Sequence, residues 1–295
     1  MKKYISPDKS GMKAGFSLIE LSIVLVIIGL IVGGILTGQE LIRAAGIRAT
    51  LSQVEKFNTA TRTFQGKFGA LPGDILSTQA QAFGLYYVTT ANGNSNALAY
   101  GNGDGIIQGY YSGAYITGGT FGGEIAMFFL HLSQAGLING MYGAGGADVI
   151  IIGATTTGGS SGTLPQVSVT TPSGTIGEIL PPAKLGNGNY FTVASTSGQN
   201  YYVLSGITQI NTGLSITSTN NLTPLDAYAM DKKIDDGLPA SGKVFALDTT
   251  AYAISYASAQ GITTPAANNC VNGTAYYTTS TFGNTQNCSL RFDFQ

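Results

Sequence analysis

Glu20 is the single charge in the run FSLIELSIVLVIIGLIVGGIL, residues 16–36, whose other members are apolar or small. A carboxylate held deep in a membrane costs about 2.5–3.5 kcal/mol, so its presence there calls for a partner. A second group with chemical capacity is Asn102-Gly103-Asp104-Gly105-Ile106-Ile107, where oxygen-bearing side chains alternate with glycines as in the middle of an EF-hand calcium loop. The register fails at both ends, because loop positions one and twelve would be Tyr100 and Tyr111 instead of carboxylates. An ordinary turn is the favoured reading, and Asn102 and Asp104 take calcium only if further oxygens arrive from elsewhere.

Asp231, Asp235 and Asp236 form the densest acidic group, with Lys232 and Lys233 beside them, and read better as a solvated helix end than as a metal site. His131 is the only histidine and sits among Phe and Leu, which points to a structural role. No Ser-His-Asp or Cys-His set can be assembled without arbitrary choice, and no spacing marks a glycosidase-like carboxylate pair, so no enzymatic activity is expected. Cys270 and Cys288 have neither a Cys-x-x-Cys spacing nor companion histidines. A single disulfide fits them better than two buried thiols. It requires an oxidising compartment and, closing a loop of this size, contributes roughly 3 kcal/mol.

The elements that must carry these residues are legible from composition and period. Lys2, Lys3, Lys9 and Lys13 against Asp8 give the first 15 residues a charge of +3, while the rest of the chain sums to -4. A basic start before an apolar run marks a segment kept on the cytoplasmic side. The apolar run is long enough to cross a bilayer as a helix. Helical periodicity continues through Ile47, Leu51, Val54, Phe57 or Asn58, Thr61, Phe64 and Phe68, with Arg48, Glu55, Lys56, Arg62 and Lys67 largely between them. No proline falls between Pro7 and Pro72, which predicts one helix over residues 16–68, roughly 80 Å long. Gly29, Gly33, Gly34 and Gly38 give G-x-x-x-G spacings that permit close helix approach.

At Gly69-Ala70-Leu71-Pro72-Gly73-Asp74 the helix pattern stops, and residues 69–295 read as a globular head. Short β-type runs fall at 148–152, 166–169, 190–193, 201–204 and 243–246, separated by Gly, Asn, Ser and Thr turns such as 155–162. Helices are expected over 121–137 and from Thr223-Pro224-Leu225-Asp226 to just before Gly237, with Thr223 as N-cap and Pro224 at the first helical position. The fold class is therefore α+β: a long N-terminal helix, its first half transmembrane, packed on an antiparallel sheet. The formal charge of -1 suggests no nucleic-acid partner.

Gly15-Phe16-Ser17-Leu18-Ile19-Glu20-Leu21 resembles the type IV prepilin signature, with Gly before the cut, Phe as first mature residue and Glu as the fifth. The resemblance implies that residues 1–15 are a leader removed by a membrane prepilin peptidase, that the Phe16 amine becomes N-methylated, and that it pairs with Glu20 of a neighbouring subunit. Met1 and Met12 both fit as start. It further implies a pilin-like head, other pilin or pseudopilin subunits and an inner-membrane assembly platform as partners, and a head in the periplasm before assembly into a pilus or pseudopilus. A disulfide loop between Cys270 and Cys288 is, in that family, an exposed contact surface. Some pseudopilins use a loop calcium, the one cofactor the resemblance leaves open. The leading expectation is a structural filament subunit. A type II secretion pseudopilin is the alternative within the family, and a membrane-anchored binding or enzymatic domain the alternative outside it. The 227-residue head is large, which favours a minor or tip subunit.

Overall fold

The computed structural model describes residues 17–85, 101–111, 114–116, 124–142, 176–196, 198–210, 216–247, 270–272, 275–276 and 285–294. Gly15, Phe16, the expected strands at 148–152 and 166–169 and the polar run 155–162 lie outside these residues. The chain divides into two compact units, Met1–Ala45 and Gly46–Gln295.

Helix α1 spans Leu18–Phe68, 51 residues. It starts two residues later than the expected Phe16, because Ser17 is its N-cap: the Ile19 amide donates to Ser17 Oγ at 3.1 Å. It runs unbroken through Gly29, Gly33, Gly34 and Gly38. It stops at Gly69, whose φ of +75° lets its amide donate back to the Gln65 carbonyl at 2.8 Å.

Within the first unit the large apolar side chains from Leu18 to Ile42 are at least half exposed. This helix is long and apolar enough to be a membrane span or a signal sequence.

In the second unit α1 turns one face inward. Ile47, Leu51, Val54, Phe57, Thr61, Phe64 and Phe68 are all buried, each three or four residues from the last, so the 3.6-residue period alone selects them. After α1 come α2 (Ser77–Ala82), the hairpin β1 (Gly109–Tyr111) and β2 (Ala114–Ile116), α3 (Glu124–Gln134) and α4 (Ile176–Ile179). Strands β3 (Asn189–Thr196), β4 (Gln199–Ile210) and β5 (Ile216–Thr219) precede α5 (Pro224–Ile234). Then follow β6 (Val244–Leu247), β7 (Val271–Asn272), β8 (Ala275–Tyr276) and β9 (Ser289–Asp293).

The main sheet is antiparallel, with strand order β3-β4-β9-β6 and β5 added to β4. Strand β4 is long enough to pair β9 along 201–204 and β5 along 206–210. Its residues Tyr202 and Leu204 share a face with Phe191 and Val193 of β3 by register. That face meets α1: the Phe57 ring lies edge-on to Phe191 at 5.3 Å and to Phe129 of α3 at 5.2 Å. Burying one such ring contributes about 1.5–3 kcal/mol, and Thr61 adds a buried hydroxyl bond to Tyr202 at 2.9 Å.

Helix α3 is buried along Glu124–Leu132 because EIAMFFLHL is apolar nearly all round. It ends with Gly136 at φ +68°, its amide bonded to Ser133 O and the Leu137 amide to Leu132 O, a Schellman closure. Helix α5 starts as expected: the Asp226 amide donates to Thr223 Oγ1 at 3.1 Å and Pro224 occupies the first turn.

Candidate functional site

The residues that could do chemistry form several groups, one in the first unit and the others in the second. At the start of α1 the Ser17 amide donates to Glu20 Oε2 at 2.8 Å, while Ser17 Oγ takes the Ile19 amide. This is the S-x-x-E pattern of a capping box, with Glu20 reaching back to the Ser17 amide and Ser17 Oγ holding the second helical amide. Glu20 therefore has a partner within its own chain, and the carboxylate complements the positive end of the helix. The signal stood in the sequence as Ser17-Leu18-Ile19-Glu20, inside the longer signature.

The second place is the joint where the chain leaves α1. Loop 101–108 is bound there by two carboxyls that the sequence did not single out as a pair. Asp74, 1% exposed, accepts the Gly103 amide at 2.7 Å and the Gly105 amide at 2.8 Å, one on each oxygen. Glu124, fully buried at the start of α3, accepts the Asn102 amide at 3.0 Å and the Gln108 amide at 2.8 Å. Gly103 and Gly105, at φ +75° and +83°, turn alternate amides to one side, where they meet an anion. The anion is the protein's own Asp74. Close approach fixes the neighbours too, since a Cβ at Gly101 would strike the Asp74 backbone.

From the sheet side, the Ile107 amide donates to Asn200 Oδ1 at 2.7 Å, Asn200 Nδ2 donates to Gly105 O at 2.8 Å, and Ser195 Oγ donates to Ile107 O at 2.7 Å. The expected turn residues are spent inside the loop. Asn102 Oδ1 takes the Asp104 amide at 2.9 Å, and Asp104 Oδ1 takes the Ile106 amide at 2.8 Å. Asp104 Oδ2 accepts from Asn102 Nδ2 at 2.9 Å.

Burial pushes the Glu124 carboxyl up to about 9, and the charge of Asp74 adds to the rise against the two amides that oppose it. Asp74 is also raised, first by burial, with the Gly105 and Gly103 amides working against it. At neutral pH Glu124 holds its proton, because a second buried charge beside Asp74 is disfavoured.

His131 lies in the same joint, 2% exposed, with the Gly73 amide donating to its Nδ1 at 3.0 Å. Its ring stacks on Phe64 of α1, centroids 6.0 Å apart and planes 3° from parallel.

The acidic group at the end of α5 is only partly the solvated helix end expected. Among the described residues, Asp231, Asp235 and Asp236 are the group of His, Cys, Asp or Glu whose oxygens converge, within 4.8 Å. Asp231 is fully buried and accepts from the Gly237 amide at 3.1 Å and from Tyr276 Oη at 2.9 Å. Burial raises its carboxyl to about 6. Asp235 takes the Lys243 amide, and Asp236 takes the Leu238 amide and the Ser241 hydroxyl. These acids hold the turn after α5 in shape.

Cys270 and Cys288 are bonded, with Cα atoms 5.1 Å apart. Both are buried, as are Val271 and Tyr276, while Ala275, Thr285 and Gln286 of the same loop are exposed. Leu222 pairs with Cys288 through backbone bonds in both directions.

A groove of about 620 Å³ runs beside α1, lined by residues that include Gln53, Lys56, Tyr142 and Lys184 and neither His131 nor a cysteine. Gln53, missed in the sequence, bridges α1 to the segment before β3, donating to Pro182 O at 3.0 Å and accepting the Lys184 amide at 3.2 Å.

No protein-family model, curated protein or solved structure matches the chain.

Proposed function

We propose that this chain is a structural subunit of a type IV pilus-like filament, cleaved by a prepilin peptidase between Gly15 and Phe16 and assembled through its N-terminal helix. The observation that carries the reading is the string Gly15-Phe16-Ser17-Leu18-Ile19-Glu20 immediately ahead of an apolar, exposed helix. A stalk of that kind joined to an antiparallel α+β head supports it. Cleavage makes a cationic amine one residue before Ser17, in an apolar setting where Glu20 supplies the anion. Pairing the amine of one subunit with Glu20 of the next turns two charges that are costly in a membrane into a register key between copies. The partners are the peptidase, the inner-membrane assembly platform and further pilin or pseudopilin subunits, with the head on the periplasmic side.

Glu20→Ala separates this from an anchored head that works alone. Filament incorporation, read by immunoblot of the sheared surface fraction, should fall while the chain is still cleaved and membrane-bound. Normal incorporation of the variant would contradict the pairing.

A further inference from the structure

We propose that His131 is an acid-sensitive pin at the joint between α1 and the head: neutral, it holds the Gly73 amide; protonated at Nδ1, it releases the 71–74 turn and, with that turn, loop 101–108.

The amide of Gly73 is a donor, so Nδ1 must be the acceptor, and the ring that accepts is the neutral one. A proton on Nδ1 sets two donors face to face in a buried place. The turn has little room to re-form the contact elsewhere. Gly73 is held at φ +86°, and a Cβ there would run into the backbone carbonyl of Glu124, so turn and helix α3 touch at van der Waals distance. The next residue is Asp74, whose two oxygens hold Gly103 and Gly105, and a displaced turn therefore carries the loop's anchor with it.

The acids of the joint are committed to the loop: Asp74 from the turn accepts the Gly103 and Gly105 amides, Glu124 from α3 itself those of Asn102 and Gln108, and Asp104 that of Ile106. Helix α1 presents Phe64, its Lys67 lying instead over the Phe68 ring at 5.0 Å. The sheet contributes the neutral Ser195 and Asn200, and Tyr142 sits against Phe129. The fold needs the neutral ring, so the unfolded chain binds the extra proton in acid and stability at this joint rises with pH through the range where histidines titrate.

The test uses the full chain in detergent micelles. Hydrogen exchange at Gly73, Gly103 and Gly105 is measured at about pH 7 and about pH 5, each rate divided by that of an unfolded peptide at the same pH. Protection should fall about tenfold or more in acid, the consequence of losing one buried partner. His131→Asn puts a carbonyl oxygen near the place of Nδ1 and cannot take the proton, so its protection should stay level. Nitrogen-15 shifts of the imidazole, followed over the same range in the unaltered chain, should report proton uptake as protection falls. Unchanged protection, an equal loss in His131→Asn, or a ring that stays neutral while protection falls would each overturn the proposal. If His131→Asn does not fold, the imidazole titration against protection decides alone.

Discussion

Replacing Glu124 by glutamine should flatten the alkaline decline in stability of the head. In the folded chain the Glu124 carboxyl sits at about 9, raised from an ordinary 4.5. The folded head thus keeps a proton that the unfolded chain has released, and this group's contribution is complete below about pH 4.5 and lost as pH rises towards about 9. One proton's difference is about 1.36 kcal/mol per pH unit. Between about pH 7 and about pH 8.5 the loss is therefore about 2 kcal/mol, or about 4–8 °C in the unfolding midpoint of a head this size. Glutamine imitates the protonated acid towards Asp74 and still accepts one of the amides of Asn102 and Gln108. It leaves the other without a partner, at a cost of about 1–3 kcal/mol. The variant should be less stable at neutral pH and nearly level from there upwards. Thermal unfolding of the full chain in detergent, followed by circular dichroism at several pH values, measures both. An equally steep decline in the variant, or a level profile in the unaltered chain, would refute the retained Glu124 proton. Adding calcium chloride at about pH 8.5 should change little, because the carboxyl oxygens are occupied by backbone amides. A saturable rise in midpoint would show a cation in the proton's place.

Other perturbations test the packing. Phe57→Ala removes a ring wedged against Phe191 and Phe129 and should cost about 3–5 kcal/mol in chemical denaturation. Gly101→Ala, which drives a Cβ into the Asp74 backbone, should abolish amide protection of loop 101–108 before it unfolds the sheet. The double change Cys270→Ser and Cys288→Ser should cost roughly 3 kcal/mol, read as a lower denaturant midpoint than the oxidised chain.

Local rules reached a good part of this fold. The α1 period named most of its buried face, leaving Phe57 or Asn58 open and passing over Thr50 and Ala60; Gly69 ended that helix, Thr223 and Pro224 began α5, and the runs at 190–193 and 201–204 became β3 and β4. The run at 243–246 shifted by one to Val244–Leu247, since the Lys243 amide is committed to Asp235. What escaped is what depends on contact across distance. Asp74 and Glu124 are 50 positions apart, and no local pattern says that two acids will share one loop. Gly103 and Gly105 signalled a turn, yet the anion their amides would receive had to come from elsewhere in the chain. Asp231 looked solvated beside two lysines because its partner, Tyr276, lies beyond the next strand. Ser17-Leu18-Ile19-Glu20 carries the S-x-x-E pattern of a helix cap, of which the sequence reading used only the charge of Glu20.

The most direct test of the filament assignment is mass spectrometry of the N-terminal peptide from sheared surface filaments of cells expressing the chain. A peptide beginning at N-methylated Phe16 is the expected result. A protein found only in the membrane fraction, still carrying residues 1–15, would contradict it.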